Sequence, residues 1–240
     1  MPDMAGPPVV LVHGCGGSSD AAFVRTGWIE AFERAGRDLA LVDLPGHGAG
    51  TQSHDPASYA DLAHSLVARM PNGVVDAVGF SLGAKLLLEI AVRERQRIRR
   101  LVLGGLGDNA FAPEAIGEAA ACALEHGPTE QTPPPVFAFL DTWEPGRNDA
   151  LAVAAVLRRP PNPVFEDEQL KALSLPMMLV NGSEDPVCRS SDRLRGALRN
   201  AAVQTLPGAG HFDLTAQPEF LRLAVDFLSH ARPSETGAHQ

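Results

Sequence analysis

Short apolar runs alternate along the chain with longer stretches in which apolar residues recur every three or four positions. The short runs are apolar at nearly every position and rich in valine and leucine, so they predict strands buried on both faces, as in a parallel sheet. The predicted strands are Pro8–His13, Asp38–Leu44, Val74–Gly79, Arg99–Gly105, Pro176–Asn181 and Ala202–Leu206. The predicted helices between them are Ala21–Ala35, Ser58–Met70, Ala84–Arg95, Asp192–Leu198 and Pro218–His230.

This alternation predicts an α/β fold with a doubly wound, mostly parallel sheet of about six strands. Between residues 108 and 173 the alternation stops, and prolines separate four shorter helical stretches. These stretches are Pro113–Glu125, Val136–Trp143, Asp149–Arg158 and Asp167–Ala172. We interpret residues 1–107 and 174–231 as the core, residues 108–173 as a helical cap inserted at the carboxyl edge of the sheet, and residues 232–240 as a disordered tail.

Composition and charge limit the kinds of molecule that this protein is expected to bind. The 240 residues are 45% hydrophobic, which suits one sizeable core, and the formal net charge is −9. An acidic surface argues against nucleic acid and against anionic membranes as partners. We find no apolar run of about 20 residues and no signal peptide, so we expect no membrane association. A small-molecule substrate is then the expected partner, and the chain is expected to be a monomer or a homodimer.

The three cysteines, Cys15, Cys122 and Cys188, are odd in number and far apart. They predict free thiols in a reducing compartment, and therefore a cytoplasmic protein. Histidines and cysteines do not occur at the spacings typical of a metal site, so we expect neither a metal nor an organic cofactor.

One stretch carries the strongest chemical signal. The strand at Val74–Gly79 runs directly into Gly79-Phe80-Ser81-Leu82-Gly83, and an apolar helix follows at once. A serine on such a turn projects its hydroxyl away from the sheet, while the two glycines let strand and helix approach closely. The start of the helix also offers free N–H groups and a positive dipole end to a developing oxyanion. Ser81 is therefore a candidate nucleophile.

Three further loops follow predicted strands, where ligands bind in open α/β sheets. They contain His13-Gly14-Cys15-Gly16-Gly17, Asn181-Gly182-Ser183-Glu184-Asp185 and Gly208-Ala209-Gly210-His211-Phe212. Nucleophilic catalysis needs a hydroxyl, a base to take its proton, an acid to orient the base and donors for the oxyanion. The four loops supply all of these groups, with serine, aspartate and histidine in the chain order used by α/β-hydrolases.

The sequence resembles the α/β-hydrolase superfamily over nearly its whole length, through the stretches LVHGCGGSS, VDLPGHGAG, VGFSLGA, NGSEDPV and LPGAGHF. The resemblance implies Ser81 as nucleophile, His211 as base and Asp185 as the acid that orients it. It also implies an oxyanion hole made by the backbone N–H groups of Cys15 and Leu82. The antiparallel hairpin that usually opens this fold is missing, and residues 108–173 correspond to the family's cap.

Some assignments stay open at this point. Asp108 follows the strand Arg99–Gly105, where some members of this fold carry their acid, so it is the alternative to Asp185. His13 and His47 are expected to fix loop geometry by hydrogen bonds rather than to act as bases. The following residues are candidates for the substrate pocket, or for packing between cap and core: Lys85, Phe111, Phe137, Phe139, Trp143 and Phe165.

These features predict a serine hydrolase that cleaves a carboxylic ester of a small apolar substrate, with thioesters and lactones as the next choices. A second hypothesis keeps the triad but changes the reaction. The stretches DLPGHG and GFSLGAK resemble the menaquinone-pathway enzyme that eliminates pyruvate, and carbon–carbon bond hydrolases share the same triad. A third hypothesis, from another class, is a ligand-binding protein of this fold without activity. Turnover of a simple ester separates the third hypothesis from the first.

Overall fold

The computed structural model describes residues 6–50, 52–113, 116–144, 146–160 and 164–229. In these residues six strands form one sheet in which every neighbouring pair is parallel. The strands are β1 Val9–Val12, β2 Leu39–Val42, β3 Val75–Phe80, β4 Ile98–Gly104, β5 Met177–Gly182 and β6 Ala201–Leu206. The predicted α/β class with a six-stranded parallel sheet is confirmed, and the strand boundaries agree within a few residues.

The strand order in the sheet is β2-β1-β3-β4-β5-β6. The chain therefore goes outward from β1 to β2 and then returns to the other side of β1 for β3. Such a reversal opens a crevice at the carboxyl ends of the two strands on either side of it. Val12 at the end of β1 pairs with Gly79 on β3. The loop after Val12 and the turn at Ser81 consequently lie side by side at the crevice.

Helices cover both faces of the sheet. Outside residues 108–173 they are α1 Trp28–Arg34, α2 Leu62–Val67, α3 Leu82–Arg93, α8 Asp192–Ala197 and α9 Pro218–Ser229. The predicted helix Ala21–Ala35 is divided, because Gly27 adopts a left-handed φ of 80° between a short π-helical turn, Asp20–Val24, and α1. The predicted helix Ser58–Met70 is also divided, into a 3₁₀ turn at Pro56–Tyr59 and α2.

Two apolar clusters sandwich the sheet. On one face Trp28 packs against Phe23 and Phe220, with ring centroids 5.3 and 5.1 Å apart. On the other face α2 and α3 pack over the alternate residues of the strands, where Leu66 and Leu87 are fully buried. The central strands β1, β3 and β5 are thus buried on both faces, which explains why they read as apolar runs, whereas the edge strands β2 and β6 are partly exposed.

Residues 108–173, which we call the cap segment, lie between β4 and β5. They form a 3₁₀ turn, Asp108–Phe111, and the helices α4 Gly117–His126, α5 Pro134–Asp141, α6 Ala150–Leu157 and α7 Asp167–Lys171. α4, α5 and α6 share an apolar cluster of their own, and the buried Leu170 of α7 belongs to the main core. The division of the chain into core and cap domains stays a prediction.

The predicted disordered tail, residues 232–240, and residues 230 and 231 lie outside the described part of the chain. Among the described residues, none of the helices is long and apolar enough to cross a membrane.

Candidate active site

Ser81 occupies a strained turn between β3 and α3. Its φ of 52° and ψ of −115° make it the one non-glycine residue with a positive φ in the described chain. Such backbone strain is common at functional sites and persists only where the surrounding structure enforces it. A Cβ on Gly83 would lie 2.4 Å from the Val12 carbonyl oxygen, and one on Gly79 would lie 2.6 Å from the Ala84 nitrogen. The two glycines therefore permit the close contacts that hold this turn.

Ser81, His211 and Asp185 form a hydrogen-bonded chain. His211 Nε2 lies 3.0 Å from Ser81 Oγ, and His211 Nδ1 lies 2.8 Å from Asp185 Oδ2. His211 and Asp185 are 4% and 5% exposed, so water is largely excluded from the contact between them. Both ring nitrogens of His211 are engaged, one by a hydroxyl and one by a carboxylate. This geometry suits proton transfer from Ser81 to the histidine.

The Asp185 carboxylate is stabilised in its ionised form. Burial raises its pKa, but the hydrogen bond and charge of His211 and the N–H groups of Cys188 and Val187 outweigh burial, so the pKa is lowered. Those N–H groups donate to Oδ1 at 2.8 and 2.7 Å, which leaves Oδ2 to face the histidine. The carboxylate is consequently charged and fixed in direction at neutral pH.

Asp108, the alternative acid, is engaged elsewhere. Its Oδ2 accepts a hydrogen bond from Ser190 Oγ at 2.6 Å, and its Oδ1 accepts one from the backbone N–H of Leu194 at 2.9 Å. These bonds tie the start of the cap segment to α8. The contact with a His211 ring nitrogen is made by Asp185 instead, at 2.8 Å.

The loop after β1 approaches the nucleophile closely. A Cβ on Gly14 would lie 3.1 Å from Ser81 Cβ, and Cys15 lines the same cavity as Ser81. His13 Nε2 accepts the N–H of Leu44 at 3.1 Å, and His13 Nδ1 donates to the Gly14 carbonyl at 2.7 Å. Because the peptide unit is rigid, holding the Gly14 carbonyl also sets the direction of the Cys15 N–H. Its role as an oxyanion donor, with the N–H of Leu82 at the start of α3, stays a prediction.

His47 fixes the same loop from the other side. Its Nε2 accepts the Gly16 N–H at 2.8 Å, and its Nδ1 lies 3.1 Å from the Pro45 carbonyl oxygen. Burial, which disfavours the charged imidazolium, is the main cause that lowers the pKa of His47 to about 3. His47 is thus a neutral acceptor at neutral pH, which agrees with the expectation that it shapes a loop rather than transferring protons.

A cavity of about 360 Å³ opens beside Ser81 and His211, and its walls are mainly apolar. Of the predicted pocket residues, Lys85 and Phe139 line it. Phe111, Phe137, Trp143 and Phe165 are not among its lining residues, which corrects the prediction. Phe137 is 41% exposed on the opposite side of α5, and Phe165 is buried in the main core.

Phe111 and Trp143, which do not line the cavity, pack against other side chains. The guanidinium of Arg193 lies 3.8 Å from the centroid of the Phe111 ring. The Trp143 ring lies behind Phe139, with centroids 6.4 Å apart. Both aromatic residues therefore support the cavity or its surroundings rather than facing it.

Several lining residues were missed by the sequence analysis, notably Asn109, Arg159 and Phe212. Phe212 follows the predicted base directly, so its position in the chain was a usable signal. Arg159 is 5% exposed and stands just before a proline-rich stretch. The direction of its side chain depends on how this part of the chain folds onto the rest, which the local sequence does not show. With Lys85, which is 4% exposed, it brings positive charge to the cavity wall.

One group of described residues has metal-ligand chemistry. The ligand atoms of Asp185, Cys188 and His211 lie within 4.8 Å of one another. Burial, followed by the charge of Asp185, strongly raises the pKa of the Cys188 thiol, which disfavours the thiolate that binds metals. Asp185 and His211 already bond to each other, so the triad accounts for this cluster without a metal.

A family model described as "Alpha/beta hydrolase family" matches residues 9–225. The chain belongs to the alpha/beta hydrolase family and is a hydrolase. It is 27% identical over 249 residues to the pimeloyl-[acyl-carrier protein] methyl ester esterase of Nitrosomonas europaea, covering 93% of this chain and 96% of that protein.

Solved structures show the same fold. NosK from Streptomyces actuosus is 26% identical with a TM-score of 0.68, over 92% of this chain and 96% of NosK. MenH from S. aureus is 19% identical with a TM-score of 0.70, over 92% of this chain and 93% of MenH.

Proposed function

We propose that this protein is a serine esterase that cleaves a carboxylic ester through an acyl-enzyme on Ser81. The hydrogen-bonded chain from Ser81 through His211 to the ionised Asp185 is the observation that carries the proposal. The Ser81 oxygen attacks the ester carbonyl carbon while its proton passes to His211 Nε2. His211 then gives that proton to the departing alcohol, and a water molecule, deprotonated by His211, releases the acid.

The oxyanion of each tetrahedral intermediate is held by the N–H groups of Cys15 and Leu82. The turn at Gly14–Gly17 and the start of α3 support this assignment, because both adjoin Ser81 at the crevice between β1 and β3. Fixed donors of this kind stabilise the charge that develops in the transition state.

The substrate we propose is an ester with an apolar acyl group and a small alcohol. The apolar walls of the cavity, among them Leu106, Ile116 and Phe139, favour hydrocarbon over polar groups. The relatives named as methyl ester esterases, from Nitrosomonas europaea and Nitrosospira multiformis, support a methyl ester. We also infer a cytoplasmic location from the cysteine content.

The test is turnover of methyl and p-nitrophenyl esters of varied chain length, together with labelling by a fluorophosphonate. Ser81→Ala is expected to abolish labelling and to lower kcat by about 10⁴-fold or more while the fold is retained. Ser65→Ala, on α2 away from the cavity, is the matched control and is expected to label like the wild type. Undiminished turnover in a folded Ser81→Ala protein contradicts the proposal.

A second candidate reaction uses the same triad on an acidic substrate, by elimination or by carbon–carbon bond cleavage. The observation that favours it is the pair of buried cations, Lys85 and Arg159, in the cavity wall. Glu89 lies near both; burial raises its pKa despite the opposing charges of Arg93, Arg159 and Lys85. An assay for turnover of acidic vinylogous ketones, in wild type and in Lys85→Met, separates this reaction from hydrolysis of neutral esters.

A further inference from the structure

The side chain of Asn148 bridges the cap segment and two loops of the active site. Its Nδ2 donates to the carbonyl oxygens of Gly16 and Gly17, at 2.8 and 3.1 Å. Its Oδ1 accepts the N–H of Gly48 at 2.7 Å. Asn148 is 8% exposed, so both donors and the acceptor of one amide are used in a nearly dry site.

The loop that Asn148 holds is the turn 14–17, which carries the proposed oxyanion donor. The Gly17 N–H donates to the Gly14 carbonyl at 3.2 Å, and this bond closes the turn. The Gly14 carbonyl belongs to the same peptide unit as the Cys15 N–H. Displacement of Gly17 therefore releases one of the two groups that set the direction of the Cys15 N–H.

Apart from the Gly17 N–H, the second half of the turn is held by groups outside it. The Gly16 N–H bonds to His47, and the Gly16 and Gly17 carbonyl groups bond to Asn148. Gly16 has a left-handed φ of 78°, a conformation with little intrinsic rigidity in glycine. A chain with this freedom needs such external hydrogen bonds to keep one geometry.

We propose that Asn148 is a positioning residue for the oxyanion hole, through which the cap segment controls the chemical step. This inference rests on the proposed esterase function. Asn148 does not touch the reacting atoms; it keeps the Cys15 N–H aimed at the site where the oxyanion develops. A donor that serves only the transition state affects kcat rather than substrate binding.

The variants Asn148→Ala and Asn148→Asp test the proposal. Asn148→Ala removes all three hydrogen bonds. Asn148→Asp keeps an acceptor for the Gly48 N–H but places a carboxylate oxygen against the carbonyl groups of Gly16 and Gly17. We expect kcat to fall by about tenfold or more, up to the roughly 10²–10³-fold that loss of a whole oxyanion donor costs, with KM changed less than about threefold. Asn148→Asp is expected to lose at least as much as Asn148→Ala.

Asp149→Ala is the matched control for loss of stability. The Asp149 side chain caps α6 by accepting the N–H groups of Leu151 and Ala152, and it also pairs with His54. This variant is expected to lower Tm while kcat stays within about twofold, because the lost bonds stabilise the start of α6 and the contact with His54 but do not hold the turn 14–17.

A transition-state analogue gives a second readout. Affinity for a trifluoromethyl ketone is expected to fall in Asn148→Ala in proportion to kcat/KM, while affinity for the product acid is unchanged. Wild-type kcat in a folded Asn148→Ala protein overturns the inference and leaves the esterase proposal intact. If Asp149→Ala lowers kcat as much as Asn148→Ala and the two variants have the same Tm, the inference about Asn148 is also overturned. A wild-type protein without esterase activity refutes the esterase function itself.

Discussion

At the scale of single residues, Asp185 and Asp108, the two candidate acids, are expected to differ in how strongly their replacement by asparagine lowers kcat. Asp185→Asn replaces an ionised oxygen beside His211 Nδ1 with an amide, which removes the charge that stabilises the imidazolium and favours the wrong tautomer. We expect kcat to fall by about 10³–10⁴-fold in this variant. Asp108→Asn keeps an acceptor for the Leu194 N–H and a partner for Ser190, so it is expected to change kcat by less than about tenfold.

Steady-state kinetics of the two folded variants check this prediction. Thermal unfolding provides the control, because Asp108→Asn is expected to affect Tm more than activity. A severe loss of kcat in Asp108→Asn with little loss in Asp185→Asn reverses the assignment.

The two phenylalanines of α5 give a second prediction at this scale. Phe139 lines the cavity and is 5% exposed, whereas Phe137 is 41% exposed. Phe139→Ala enlarges the cavity, so we expect the ratio of kcat/KM between long and short acyl esters to change by about 1–3 kcal/mol. Phe137→Ala is the matched control and is expected to leave that ratio within about twofold. Equal effects of the two substitutions contradict the assignment of the cavity wall.

The difference between these phenylalanines shows what the sequence can and cannot predict. Residues two apart on a helix point in nearly opposite directions, so at most one of Phe137 and Phe139 faces the cavity. The sequence pattern does not decide which one, because both faces of this short helix contain apolar residues. The loops that carry Ser81, Asp185 and His211 were predictable because each follows a predicted strand of a parallel sheet, and the roles of the three residues came from the resemblance of these loops to those of α/β-hydrolases.

At the scale of secondary structure elements, the turn at Ser81 depends on how closely α3 approaches β1. A Cβ on Gly83 would lie 2.4 Å from the Val12 oxygen and 2.5 Å from the His13 oxygen, and backbone atoms cannot move aside cheaply. Gly83→Ala is therefore expected to lower the free energy of unfolding by about 1–3 kcal/mol and to reduce kcat by displacing Ser81.

Gly196→Ala is the matched control, because Gly196 lies in α8 with open space within 4 Å of its added Cβ. We expect it to be neutral or to stabilise the protein by about 0.5–1 kcal/mol, since alanine favours helix over glycine. Urea unfolding of both variants measures the difference. Equal stabilities contradict the close approach at Gly83.

The ends of strands and helices were predictable where the apolar pattern is continuous. They were less predictable where the φ angle of a single residue determines where an element stops. The central strands stand out because both of their faces are buried. The helix predicted at Ala21–Ala35 is interrupted at Gly27, whose positive φ leaves no trace in the pattern of apolar positions.

The apolar run of β3 also contains Asp76, which is fully buried and bonds to Arg37 and Arg99, at 2.6 Å each. Such pairing across the fold is not visible in local sequence.

At the scale of the whole molecule, the amino ends and the carboxyl ends of the strands carry different groups of residues. The ion cluster around Asp76 lies toward the amino ends of the strands, where Asp76 donates its N–H to the Pro8 carbonyl just before β1. The loops with Ser81, Asp185 and His211 lie at the carboxyl ends. The proposed site of binding and catalysis is thus separated from the contacts that join the strands at the other end.

The stability of the molecule in acid is expected to depend on His47. Burial is the main cause that lowers its pKa from 6.5 to about 3 in the folded state. Between those two values the unfolded chain binds a proton that the folded chain excludes, so stability rises with pH. The contribution is fully present above about pH 6.5 and is lost as the pH falls toward 3, by up to about 1.4 kcal/mol per pH unit.

The variant His47→Gln tests this dependence, because glutamine keeps an acceptor for the Gly16 N–H but does not titrate. We expect its free energy of unfolding, measured with urea at pH 4, 5, 6 and 7, to vary less steeply with pH than that of the wild type. His126→Gln, whose side chain is 76% exposed, is expected to follow the wild-type curve. Parallel curves for His47→Gln and the wild type would mean that protonation of His47 does not oppose the fold. The hydrogen bond from the Gly16 N–H would then survive in acid.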